Sequence, residues 1–457
     1  GLFKVENFLR IFFPEFRVSN VPSWILFWST LIIMALPSSS ASAQPIAFLS
    51  DIEGNLPKLT DFLSRHPAFS QGSDGRYHLR PEALFVHGGD AGDRFPWERT
   101  VIRELLRLKE ESPDRVVLIA GNRDVNKLRL PLELSETAMG FPPLRKALDY
   151  AEWRSNRKLK DLPENRLKWI LERTMGSPDA FELRRTELAR EQIIPEKQIR
   201  DQDVLESYLE DTRPGGLFHR LIRASKLMHR IGGTLFVHSG VPLSGLGHIP
   251  GKPGRAASVN DWEKGLQAWY ETELADWEKN LDTWSGLEAV PGKNLISYVE
   301  PFGNQRENPF SVVYGRTLDE EGKLSLPPGG VIQWLLKNGI HRLAVGHTPV
   351  GQVPLVFRTP DSNFEQLVID TSRSPFPSEA ALVTLTGSDG LITNIEATIH
   401  FENQDSITYS FSQKIGEKSP LGQCFPDHSL AIAPHQDVWL TYKAGPGYQV
   451  LYRLQKE

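Results

Sequence analysis

A single cysteine, Cys424, stands among 457 residues, which excludes an intramolecular disulfide framework and any cysteine-built zinc site. A basic excess is missing too. Lys and Arg number 52 against 57 Asp and Glu, a formal net charge of −5, so the electrostatic footprint of a nucleic-acid binder is absent. Long apolar runs are scarce, and the most apolar, Trp24–Leu36, falls short of the ~20 residues that a membrane span requires. That run follows Lys4, Arg10 and Arg17 and precedes Pro37-Ser-Ser-Ser-Ala-Ser-Ala43, the layout of an export signal with a small-residue cleavage site. Residues 1–43 are therefore expected to form a signal peptide cleaved before Gln44, sending the chain to a periplasm or outside the cell. An uncleaved membrane anchor is the alternative. No internal repeat or low-complexity segment is found, and 40% hydrophobic with 24% charged residues suits a folded chain.

Five short apolar runs end abruptly in polar or Gly-rich punctuation. They are Ile46-Ala-Phe-Leu before Ser50-Asp51, Ala83-Leu-Phe-Val before His87-Gly-Gly-Asp90, Val116-Val-Leu-Ile-Ala before Gly121-Asn122, Thr234-Leu-Phe-Val before His238-Ser-Gly240, and Arg342-Leu-Ala-Val before Gly346-His347-Thr348. Such runs read as buried strands, most of them followed by helical patterns, which predicts an α/β layered core. Ligands in such sheets gather beyond the carboxyl ends of the strands, where these Asp, Asn and His residues lie. Residues 130–231, rich in Arg, Glu, Leu and Lys, are too long for a connection and are expected to form a helical cap inserted beside the site. Trp262, Trp269, Trp277 and Trp284 recur at helical spacing and fall within an arc of about 80°, one aromatic face that either packs in the core or docks a protein. From residue 380 to 457, alternating segments bounded by Gly387-Ser-Asp-Gly390 and Gly445-Pro-Gly447 predict β hairpins.

The chemistry resides in the strand ends taken together. With no cysteine set, any metal must be held by Asp, Glu, Asn and His. Hard divalent cations take several oxygen ligands, and manganese, iron and zinc also accept imidazole.

Ser50-Asp51-Ile-Glu53-Gly-Asn55, Gly89-Asp90-Ala-Gly-Asp93-Arg94, Gly121-Asn122-Arg123-Asp124, Val237-His238-Ser-Gly240 and Gly346-His347-Thr348 together resemble the motif series of the calcineurin-like metallophosphoesterases, which include the phosphoprotein phosphatases. The resemblance implies a βαβ sandwich core holding two divalent ions, with activated water attacking phosphorus. Asp51, Glu53 and Asp90 would form one metal site. Asp90, Asn122, His238 and His347 would form the other, with Asp90 as the bridge. Two departures matter. Glu53 stands where the family has a histidine ligand, which favours manganese or magnesium over zinc, with iron also open. Arg123 stands where the family has the histidine that protonates the leaving group. An arginine cannot release a proton near neutral pH but clamps phosphate oxygens, as Arg94 would. Asp124 is then the candidate for proton transfer, and Arg316, in the Gly-punctuated turn Tyr314-Gly-Arg-Thr317, is a further candidate for substrate binding. His87 is either a proton donor beside the site or a buried structural histidine. The function implied is hydrolysis of phosphomonoesters, with a phosphoprotein as the partner and a preference for phosphotyrosine. The alternatives are a phosphodiesterase or nucleotide hydrolase, and a catalytically weak binding module that keeps the metal fold.

Overall fold

The computed structural model describes residues 44–286, 288–318 and 322–456. Residues 1–43, on which the export signal is expected, lie outside the described residues. No described helix is long and apolar enough to cross a membrane.

The five apolar runs form strands in two sheets. In the larger, seven-stranded sheet, Ile46–Leu49, Leu84–His87 and Val116–Ile119 run parallel and side by side, in register Ile46 to Leu84 and Phe85 to Val116. In the five-stranded sheet, Thr234–Val237, Arg342–Val345 and Glu365–Val368 are parallel neighbours. Their burial on both faces explains why they read as unbroken apolar runs. One apolar core lies between the sheets, where Phe48 and Val117 of one meet Phe236 and Leu343 of the other. The Phe48 and Phe236 rings pack edge to face at 5.1 Å. Helices cover the outer faces. Leu59 and Phe62 of helix Leu56–Arg65 and Leu105 of helix Glu98–Glu111 pack on Ala47, Leu49 and Phe85. The result is the four-layer α/β sandwich that the strand pattern predicts.

Helix Val259–Asn280 carries Trp262, Trp269 and Trp277 on the other side, and Trp284, expected on the same face, is buried beyond the end of the helix. Trp262 and Trp277 are fully buried, and their indole N–H groups donate to the His248 and Leu128 carbonyls at 3.0 Å. Trp269 is partly buried and packs with Tyr298. The aromatic face is therefore a core face, not a docking surface.

The polar stretch after Val116–Ile119 is helical from Leu130 to Ala224, through nine helices and turns of helix. It stops before the expected 231, because Ser225–Lys226 and Met228–Ile231 are edge strands of the two sheets. The strand Met-His-Arg-Ile is edge-placed and only partly buried, so its residues carry no apolar signature. Beyond residue 380, Leu382–Thr386 pairs antiparallel with Ile46–Leu49, and Ile392–His400 and Ser406–Lys414 extend the larger sheet, each antiparallel to its neighbour. Leu430–His435, Val438–Gly445 and Gln449–Gln455 make a separate three-stranded sheet.

Candidate active site

The parallel strands of both sheets deliver their carboxyl ends to one place. Five residues there hold left-handed backbone: Asp51, Glu53, Asp90, Asp93 and His347, with φ between 49° and 98°. Non-glycine side chains seldom adopt that conformation, and strain of this kind collects at functional sites. The surrounding hydrogen bonds hold it in place. The Asp51 amide donates to Gly89 and the Glu53 amide to Asp90, at 2.9 and 3.0 Å. The His347 amide donates to the Asp51 carboxylate at 3.1 Å.

Asp90, Asn122, His238 and His347 converge. Asn122 Oδ1 lies 3.1 Å from His238 Nε2 and 2.9 Å from His347 Nδ1. Asp90 Oδ1 lies 3.4 Å from His238 Nε2, and among the described residues Asp90, His238 and His347 present ligand atoms all within 4.8 Å of one another. Cis ligands on an octahedral ion at ~2.1 Å stand ~3 Å apart, so these spacings suit a divalent cation. His238 Nδ1 lies 2.8 Å from the Gly88 carbonyl, which takes the Nδ1 proton and turns the Nε2 lone pair to the cluster. Burial opposes a charged His238, yet Asp90 and Asp51 raise its pKa to about 10. Asp90 itself is pulled low: burial works against its charge, and His238 and Arg123 outweigh it. His347 is held well below the usual histidine range by burial and by Arg316, and its Nε2 is buried without a partner. The four residues fit a divalent ion.

Asp51 and Glu53 lie beside them with partners of their own. Ser50 Oγ donates to Asp51 Oδ2 at 2.5 Å, and the Asp51 carboxyl is raised well above its ordinary range by burial and by Asp370. Glu53 spends one oxygen on Arg94 Nε at 2.5 Å and the other on Arg123 Nε at 3.2 Å. Burial nevertheless lifts it to about 7.

Asp124 is turned away from the cavity. Its two oxygens accept the amides of Asp90, Ala91 and Gly121, each at 2.9 Å, so it ties the Asp90 turn to the Asn122 turn. Burial and Asp90 raise it to about 6. His87 is buried, its Nε2 has no partner, and burial lowers its pKa to about 3.

The cluster opens into a cavity of about 510 Å³ whose wall includes Arg94, Arg123, Arg316 and Arg373, with Arg129, Arg145 and Lys146 contributed by the helical stretch. Arg316 rests on the Tyr314 ring, 5.5 Å from its centre, and its Nη1 lies 3.4 Å from the His347 carbonyl. A pocket lined so heavily by guanidinium groups is built for an anion.

A family model described as calcineurin-like phosphoesterase matches residues 44–351. The chain belongs to that family. It is accordingly a phosphoric ester hydrolase of a family that binds divalent metals. Comparison with curated proteins gives no match. Among solved structures, the chain is similar to the cold-active protein-tyrosine phosphatase of a psychrophilic Shewanella, with 13% identity, 80% of each chain covered and a TM-score of 0.40. It is also similar to a protein serine/threonine phosphatase from Saccharomyces cerevisiae, with 11% identity, 82% of this chain and 81% of that one covered, and a TM-score of 0.35. A metallophosphoesterase from Sphaerobacter thermophilus has 12% identity over 82% of this chain and 89% of that one, with a TM-score of 0.27. The membership rests on the family model.

Four residues of this phosphoesterase site carry no signal of the kind read above. Asp370 and Arg373 line the cavity just after strand Glu365–Val368, whose sequence Glu-Gln-Leu-Val is not an apolar run. Lys58 is buried on helix Leu56–Arg65, where a lysine ordinarily marks the wet face. Asp93, inside a motif but without an expected role, is fully buried and pairs with Lys127 at 2.8 Å and Arg123 at 3.2 Å.

Proposed function

We propose that this chain hydrolyses phosphomonoesters on protein side chains, with phosphotyrosine preferred over phosphoserine and phosphothreonine. Of the two ions that the family resemblance implies, this reading requires the one at Asp90, Asn122, His238 and His347. Two oxygen and two imidazole ligands favour manganese, with magnesium, iron and zinc as the alternatives. When bound, the ion supplies Lewis acidity toward a phosphoryl oxygen. The chain's own residues do the rest: Arg123 and Arg94, with Arg316 and Arg373 across the cavity, orient the phosphate and oppose its charge.

One observation carries the substrate preference. No side chain in a position to protonate a leaving group faces the cluster among the residues expected to do so. Arg123 is a permanent cation, held by Ser177 Oγ at 2.6 Å and by Asp93, Asp124 is occupied by three amides, and His87 is enclosed. General acid help is worth ~10²–10⁴ in rate. An alkoxide leaving group needs that help, whereas a phenoxide, with a conjugate acid of pKa ~10 for tyrosine, depends on it far less.

The test is kcat/KM of the manganese-loaded protein on matched phosphotyrosine and phosphoserine peptides, with bis-p-nitrophenyl phosphate as the diester control. A ratio of at least ~10² for tyrosine is expected from the absent acid. Equal values, or faster serine hydrolysis, would refute the preference, and faster diester hydrolysis would shift the reading to a phosphodiesterase. Export through residues 1–43 belongs to the same proposal, since the motif series begins directly after the expected cleavage point.

A further inference from the structure

Asp90 is divided between two neighbours. Its Oδ1 faces His238 Nε2 at 3.4 Å, while its Oδ2 lies 3.7 Å from Arg123 Nε. Arg123 Nε also reaches Glu53 Oε1 at 3.2 Å. The arginine is locked from behind: its Nη1 contacts Asp93 at 3.2 Å, Ser177 at 2.6 Å and the Met175 carbonyl at 3.3 Å, and the side chain is 13% exposed. Displacing it would take one cationic partner from each of Asp93, Glu53 and Asp90, all of them buried.

A buried lysine stands on the other side. Lys58 is 2% exposed, and its Nζ has no hydrogen-bond partner. Burial lowers its pKa below the ordinary lysine range, and Asp370, Asp51 and Glu53 only partly oppose that shift. Its neighbours are the carboxylates that a second ion would need. Glu53 and Asp90 therefore do not fit a second ion: Glu53 has a guanidinium on each oxygen, and Asp90 Oδ2 has Arg123 beside it. Among the described residues, convergence of ligand atoms is found at Asp90, His238 and His347.

We infer that the chain binds one resident divalent ion, at Asp90, Asn122, His238 and His347, and that the position of the family's other ion is filled by a protein cation, Arg123, held between Glu53 and Asp90. The inference rests on the phosphatase reading only through the ion it shares with it. A fixed cation cannot be removed by chelators or diluted away, so part of the site's positive charge is permanent. Glu53 is then a positioning residue that holds two guanidinium groups.

The test counts ions. The full folded protein is loaded with manganese, freed of excess by gel filtration and measured by elemental analysis, with the titration followed by the electron paramagnetic resonance of free manganese. One ion per chain and a one-site isotherm are expected. Two ions per chain would overturn the inference and leave the phosphatase reading standing, whereas no ion at any loading, with phosphopeptides left intact, would overturn both. Glu53→Gln separates ligand from positioning residue. It should keep one ion with an affinity within about threefold of the parent. A loss of tenfold or more, the effect typical of removing a ligand or its support, would overturn the inference. Should that variant not fold, the ion count of the parent decides alone.

Discussion

Gly121→Ala tests whether the cluster is as tightly built as its distances say. The backbone at Gly121, with φ −87° and ψ 161°, is open to alanine, so the substitution brings no conformational penalty. Space is the obstacle. A Cβ there would lie closer than 3.0 Å to both Asp90 Oδ1 and the Asp90 amide nitrogen, where ordinary contact begins at 3.4 Å. Relieving that overlap requires a displacement on the order of 1 Å, enough at a reacting centre to cost ~10² in rate. The Asp90 amide cannot yield freely, because Asp124 holds it together with the Gly121 amide at 2.9 Å. The carboxylate must therefore swing away from Asn122, His238 and His347. We expect kcat/KM on p-nitrophenyl phosphate to fall by ~10² or more and manganese affinity to fall by ~10-fold or more. Overpacking should cost ~1–3 kcal/mol in urea unfolding. A folded variant with parental turnover and manganese affinity would falsify the placement of Asp90 beside Gly121, and with it the cluster.

Two further outcomes follow from the same structure. His66 is buried as a neutral ring, its Nδ1 accepting the Ala68 amide and its Nε2 lying 3.1 Å from the Val383 carbonyl, and burial lowers its pKa from 6.5 to about 4. The unfolded chain therefore takes up a proton that the folded chain refuses between those values, so this contribution is complete above pH 6.5 and is lost as pH falls through 4. At 1.36 kcal/mol per pH unit it amounts to ~3 kcal/mol. His66→Gln should show a shallower loss of unfolding free energy between pH 7 and 4.5 than the parent, and parallel curves would refute the account. For export, the exported product should begin at Gln44, as read by N-terminal sequencing, and an intact Gly1 on a membrane-bound product would refute cleavage.

The strand ends were legible in the sequence because two physical demands coincide there. Buried parallel strands are short unbroken apolar runs, and the turns that follow them need glycine or polar residues in left-handed backbone, which is where Asp51, Asp90 and His347 stand. Asp370 was not legible because its strand departs from that rule. Glu365 is wholly buried, with Arg342 Nε at 2.6 Å and Arg358 Nη2 at 3.0 Å, so an internal ion cluster replaces the apolar pattern that would have drawn attention to the strand end. Lys58 was hidden for a similar reason, since helical periodicity assigns a lone lysine to solvent and cannot register anions brought in from Asp370, more than 300 residues away. Asp124 misled in the opposite sense. Its position matches that of an acidic helper, yet it sits in the first turn of helix Asn122–Val125, where a carboxylate is the natural partner of free amides.

Glu53 and Arg123 read as two separate departures from the family pattern, and each taken alone looks like damage. Glu53 is 3% exposed and shares its surroundings with Asp90 and Asp370, and two like unit charges ~4 Å apart repel by ~4 kcal/mol at an effective dielectric constant of ~20. Arg123 by itself would be a permanent cation pressed toward a metal site. At 3.2 Å from each other, they answer one another: the carboxylate accepts the guanidinium that the cluster would repel, and the guanidinium neutralises the carboxylate that the cluster would crowd. Reverting either one alone to histidine removes one partner of the other, leaving Glu53 with Arg94 alone or Arg123 with Asp93 and Ser177. The two departures are thus a single exchange of charge across the site, and it is the pair, not either position, that distinguishes this chain's phosphoesterase site from the family pattern.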